Sequence, residues 1–140
     1  MATRSRIALQ NTNGTITSIY CHFDGYPSNN GKILLEHYSD PSKVQELINL
    51  GDLSILGSEI GTKHNFDSHL DTNSTGCLAY GRDRGEKNIQ SRTSKTKEEL
   101  LQLTENSGGE YTYLFNGTSW LYASYHDTTF SPLTPEACKE

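Results

Sequence analysis

Cysteine is scarce in this 140-residue chain, and the three present, Cys21, Cys77 and Cys138, form no Cys-x-x-Cys pair. One thiol is left over in any pairing scheme, which fits a reducing compartment better than a disulfide-stapled scaffold. Long apolar runs are missing too. Nothing approaches the ~18 consecutive apolar residues of a membrane span, and the opening MATRSRIALQ lacks the apolar core of a secretory signal. The expectation is a soluble, cytoplasmic protein with no membrane contact. Basic residues are outnumbered, 12 Lys+Arg against 17 Asp+Glu, for a net charge of -5. Sequence-independent nucleic-acid binding rests on neutralising phosphates with Lys and Arg, so duplex binding is not expected. The chain contains no G-x-S-x-G, Walker A, G-x-G-x-x-G, H-E-x-x-H or EF-hand pattern. The commonest enzyme classes go with those motifs, and no metal or cofactor is expected.

What remains suffices for one modest core. Apolar residues make up 33% of the chain and mean hydropathy is -0.66, at a length typical of a single domain. Two stretches share one recipe: RIALQ-NTNGT-ITSIYCHF around Asn13-Gly14, and EYTYLF-NGT-SWLYASYH around Asn116-Gly117. Asn-Gly between β-prone runs predicts hairpins, the first with a type I′ turn. Period two places Ile16, Ser18, Tyr20 and His22 on one face of its second arm, and Thr17, Ile19, Cys21 and Phe23 on the other. Tyr111, Tyr113 and Phe115 likewise share a face, as a core layer or as an aromatic platform for a ligand. The three Asn-x-Thr sequons, at Asn13, Asn73 and Asn116, read as turns.

Helical spacing appears three times. Ile33, Leu34, His37 and Tyr38 predict a short helix capped by Ser28 or Asn30. Asp40-Pro41 followed by Val44, Leu47 and Ile48 and stopped at Gly51 predicts a second over roughly residues 41 to 50. Thr96 and Glu99 form a capping box ahead of Leu100, Leu101 and Leu103, ended by Gly108-Gly109. Residues 62 to 76 read as an irregular excursion, Cys77 to Tyr80 as a short strand, GRDRGE as a glycine-flanked loop, and the stretch around Ile89 as a further short run. The architecture predicted is α+β, a mostly antiparallel sheet built from two terminal hairpins with about three short helices on one face. Residues 1–126 form the domain, and 127–140 an extended or flexible tail.

Three groups of residues carry candidate chemistry. At the end of the second strand, Tyr20, His22, Asp24 and Tyr26 lie close in sequence, and His37 follows on the next helix. A histidine oriented by a carboxylate is the minimum apparatus for general acid-base work, and the competing possibility is that His22 and Asp24 bond the backbone of their own turn. In GRDRGE, Arg82 and Arg84 are suited to gripping a phosphate or carboxylate, with Arg4 and Arg6 adding charge if the sheet brings the ends together. Alternatively, Asp83 and Glu86 neutralise them locally. The segment Lys63–His69 brackets Asp67 with His64 and His69, at a spacing unlike common metal sites.

Taken together, TRSRIALQN, YCHFDGYPSNNGKILLEHY, INLGDLSILGSEIG and YGRDRGE resemble a family of small proteins encoded by bacteriophages, prophages and plasmids. That family has T-R-S/A-x-I, Y-x-H-[WF]-D-G-Y-P, L-G-D-[IL]-S-x-L-G and Y-G-R-D-R-G in this order, and the resemblance covers roughly residues 3 to 125. Phe23 stands where tryptophan is frequent. The family has no assigned activity, so the resemblance implies an origin and transfers no catalytic residue. It suggests a host-takeover or anti-defence protein in the cytoplasm of a bacterial host, binding a host protein without catalysis. One alternative is a sponge for a nucleotide-like anionic signal, with Arg82 and Arg84 on phosphates and Tyr20 and Tyr26 as further contacts. Another is a minor hydrolase using His22, Asp24 and His37. A homo-oligomer is compatible with each.

Overall fold

The structure is a computed structural model that describes residues 3–61, 76–125 and 127–139. The segment Lys63–His69, with its two histidines, lies outside the described residues, as does most of the 62 to 76 excursion.

Both hairpins form. Strands β1 (Ser5–Gln10) and β2 (Ile16–Cys21) pair antiparallel from Ser5↔Cys21 to Gln10↔Ile16. Their turn is not the type I′ expected: Gly14 takes φ +90° while Asn13 keeps a negative φ. The Asn13 carboxamide accepts from the Thr15 backbone and hydroxyl, and Gly14 N–H donates to the Asn11 carbonyl. These bonds stabilise a five-residue connection with one left-handed glycine, the route of a type I turn. The second hairpin joins β6 (Tyr111–Phe115) to β7 (Trp120–Ser124), with Asn116 Oδ1 accepting from the Thr118 and Ser119 backbone.

The hairpins meet through their first strands, β1 lying parallel to β6 from Ser5↔Tyr111 to Leu9↔Phe115. Strands β3 (Leu53–Ile55), β4 (Leu78–Ala79), β5 (Arg92–Ser94) and β8 (Ser131–Pro132) complete the sheet, in the order β4-β3-β2-β1-β6-β7-β8 with β5 also paired to β2. Apart from β1–β6 and the single β2–β3 pairing Cys21↔Leu53, its ladders are antiparallel. The α+β class and the mostly antiparallel sheet are as expected. The run around Ile89 is not a strand; the short strand falls at Arg92–Ser94, and Ile89 packs on Gly51 and Gly81.

Four α-helices stand among the described residues. Helix α1 (Lys32–His37) follows a π-helical turn, Pro27–Gly31. Neither Ser28 nor Asn30 caps it. Asn30 is buried and donates to Ser5 Oγ and Cys21 Sγ. Helix α2 (Pro41–Asn49) starts as Asp40-Pro41 predicts, with Asp40 Oδ1 accepting from Ser42 N–H at 2.9 Å. GRDRGE is not an open loop: its first residues belong to the short helix α3 (Tyr80–Arg84), closed by Gly85 at φ +76°. Helix α4 (Lys97–Asn106) is capped by Thr96, whose hydroxyl accepts from Glu99 N–H, while Glu99 reaches back to Lys95 N–H.

The helices do not share one face. Leu34 of α1 and Val44, Leu47 and Ile48 of α2 pack on Ile7, Leu9, Ile19, Cys21, Tyr113 and Phe115. Leu100 of α4 packs on the reverse side against Ala8, Ile16 and Leu114. The reason lies in the central strands, which are apolar in both directions, and a sheet apolar on both faces needs cover on both. Residues after Asp127 dock on their own domain: β8 pairs with β7 through Leu121↔Pro132, and Leu133 and Cys138 are buried in the larger core.

All three cysteines are free and buried, and burial pushes the Cys21 thiol up to about 12. Burial thus disfavours the reactive thiolate. In the native protein Cys21 and Cys77 should therefore resist Ellman's reagent over a time in which denatured protein reacts fully. Rapid native labelling of either would contradict their place in the core.

Candidate functional site

Strand β2 delivers Tyr20 and His22 to one face, as alternation predicts. Tyr20 Oη and His22 Nδ1 share a hydrogen bond of 2.6 Å, and the Phe23 ring meets the imidazole edge-on at 4.5 Å. Asp24 does not join them. It takes φ +56°, which turns the chain out of the strand, and its carboxylate accepts from the Tyr26 hydroxyl while its carbonyl accepts from Asn30 N–H. The turn is built for closeness: Gly25 N–H donates to Thr3 O, Tyr113 Oη donates to Gly25 O at 2.6 Å, and a Cβ at Gly25 would stand 2.7 Å from that of Ser5. His37 is exposed in the last turn of α1, and no hydrogen bond, ion pair or ring contact joins it to His22 or Asp24. No hydrogen bond or ring contact thus joins the three hydrolase candidates to one another, and Tyr26 bonds Asp24 rather than Tyr20.

Arg82 and Arg84 also part company. Arg82 gives Nε and one Nη2 proton to Asp83, the other Nη2 proton to Cys77 O, and its Nη1 protons to Ile60 O and Gly61 O, at 2.8–3.1 Å. All five of its donors are used. Asp83, fully buried in its side chain, also accepts from Ala79 N–H at 2.8 Å and so ties α3 to the end of β4. Arg84 is exposed and pairs with Glu86 at 3.3 Å. An incoming anion would have to displace the contacts that fold this segment.

A different arginine stands out. Arg6 on β1 lies on the face of the sheet that α4 covers and is only 4% exposed. Its Nε donates to Ser18 Oγ at 2.7 Å, Nη2 to Ser18 O and Nη1 to Ser107 Oγ, both at 3.3 Å. It makes no ion pair with any described residue. Burial lowers its pKa, opposed by the charge of Asp52 and reinforced by that of Arg92, yet a guanidinium stays protonated. The register places Arg6 opposite Tyr20 and Arg92 opposite Ser18, so these side chains share a face. Arg4 lies against Gly108 after α4, and its hydrogen bonding to the Tyr20 phenol, together with its charge, opposes the rise that burial gives that phenol. Asp52 Oδ1 accepts from Tyr20 N–H, and burial raises its carboxyl pKa. Three arginines and one carboxylate thus gather here. Sequence reasoning noted Arg4 and Arg6 but had no means of adding Arg92, 86 positions beyond Arg6.

On the other flank of α4, a groove of about 310 Å³ runs between that helix and the β6–β7 hairpin. Glu98, Glu105, Glu110 and Asp127 line it, with Leu101 and the exposed Tyr125. Asp127 accepts from Ser124 N–H at 2.8 Å. The other three carboxylates make no ion pair with any described residue.

Compared with protein-family models, with curated proteins and with solved structures, the chain matches none. No helix among the described residues is long and apolar enough to cross a membrane.

Proposed function

We propose that this chain is a non-catalytic binding protein that presents the groove between α4 and the β6–β7 hairpin to a basic surface of a partner protein. The observation that carries the reading is the trio Glu98, Glu105 and Glu110, carboxylates without ion-pair partners among the described residues, lining one concave surface beside an exposed tyrosine. A concentrated field of one sign steers and orients a partner of the other. The resemblance to small phage-encoded proteins makes a host protein the partner, and host takeover or anti-defence the purpose. The two small-molecule readings have less support, since no hydrogen bond joins His22, Asp24 and His37 to one another and Arg82 has no donor to spare.

The test is charge reversal. Glu98→Lys, Glu105→Lys and Glu110→Lys together should weaken binding of a fluorescent lysine-rich peptide about tenfold or more, at about 0.5–1 kcal/mol per exposed pair. Binding by the parent protein should fall with added salt. Equal anisotropy curves for parent and triple variant would sink the groove as the contact surface.

A further inference from the structure

We infer that the face of β1, β2 and β5 carrying Arg4, Arg6 and Arg92 is a binding site for a small phosphate-bearing anion. Arg6 is its floor. Of its five donors three are bonded, to Ser18 and Ser107, and one N–H on each terminal nitrogen has no acceptor in the described protein. A charge buried to this depth is ordinarily paired, and here the serines fix the plane of the guanidinium without neutralising it. Arg4 and Arg92 stand exposed at the rim. Asp52 is a carboxylate whose field reaches both Arg6 and Arg92, and it is already engaged by Tyr20 N–H. Three guanidinium groups against one carboxylate leave two positive charges, which a phosphate or pyrophosphate dianion matches better than a single carboxylate does. Forked donors on a planar cation suit phosphate oxygens. Tyr20, with His22 bonded to its hydroxyl, borders the same face, and Tyr80 contributes to the electrostatic surroundings of the phenol. The site is independent of the acidic groove and shares no residue with the Arg82 clamp.

The measurement is a titration of the full chain with inorganic pyrophosphate at low ionic strength, followed by ¹⁵N–¹H NMR including the arginine Nε–Hε signals. Saturable shifts are expected at Arg6 Nε–Hε and at the amides of Tyr20 and Arg92. Arg4→Ala and Arg92→Ala should each lower affinity about tenfold, and Asp52→Asn should raise it by removing the competing charge. Arg84→Ala, which deletes an exposed arginine elsewhere, should leave affinity within twofold. Circular dichroism checks that each variant is folded, and Arg92→Gln replaces any that is not. Shifts that grow without saturating, a silent Arg6, or an Arg84→Ala loss equal to that of Arg92→Ala would each overturn the proposal. Saturation by a single-stranded oligonucleotide but not by pyrophosphate would overturn it as well, because the site would then read a polymer backbone.

Discussion

Replacing Arg82 by alanine should cost about 3–5 kcal/mol of stability, the range for removing one partner of a buried ion pair. The expected loss is large because two kinds of damage coincide. Asp83, with no side-chain exposure, would keep its bond to Ala79 N–H but lose the bidentate guanidinium at 3.0 and 3.1 Å. The carbonyls of Ile60, Gly61 and Cys77 would lose their donors at the same time, and with them the stitch that holds residues 60–61 against the start of β4. Lysine should not restore the loss, since an ammonium has three donors and no planar fork. Set against a domain stability of about 5–15 kcal/mol, the variant should unfold at a much lower urea concentration. The buried Trp120 reports the transition. Arg84→Ala is the matched control: its ion pair with Glu86 is exposed, and such pairs contribute about 0–1 kcal/mol. Coincident urea curves for the two variants would refute the clamp.

This contrast marks where sequence reasoning reaches and where it stops. The hairpins, the Asp40-Pro41 start of α2 and the Thr96 cap of α4 were legible because each is decided within a few residues by turn chemistry or a side-chain cap. Helix α3 was not legible as one, because its support comes from carbonyls 22 and 21 positions upstream of Arg82. The parallel β1–β6 pairing joins segments about a hundred residues apart and leaves no local trace. Cover on both faces, by contrast, was written in Ile7-Ala8-Leu9 and Tyr113-Leu114-Phe115, whose apolar residues run through successive positions rather than alternating. Alternation correctly joined Tyr20 to His22, and it failed at Asp24 because a positive φ ends the strand's period there. Arg6 carried a usable signal: the strand alternation that buries Ala8 against α4 obliges a charged neighbour two residues earlier to enter the same layer.

Ending the chain at residue 126 should destabilise it by about as much as losing a buried leucine and its surroundings, about 2–5 kcal/mol. Leu133 is 5% exposed and sits over Gly31, where an added Cβ would come within 3.4 Å of its Cδ1 and 3.3 Å of the Tyr113 ring. Its N–H donates to Trp120 O, so the tail closes the edge of the sheet next to the indole. Pro132 is tolerated in β8 because an edge strand needs donors on one side only. Truncation would uncover that edge, the Leu133 seat and the Cys138 contact together, and Trp120 emission should shift to the red as water reaches its surroundings. Leu133→Ala separates packing from chain length: it keeps β8 and every backbone bond but empties the seat, and should account for most of the loss. A truncated chain with the parent's urea midpoint would show that the core closes without this segment. The same deletion removes Asp127 from the groove, so peptide binding measured on Leu133→Ala, which retains that carboxylate, tells a loss of stability from a loss of the binding surface.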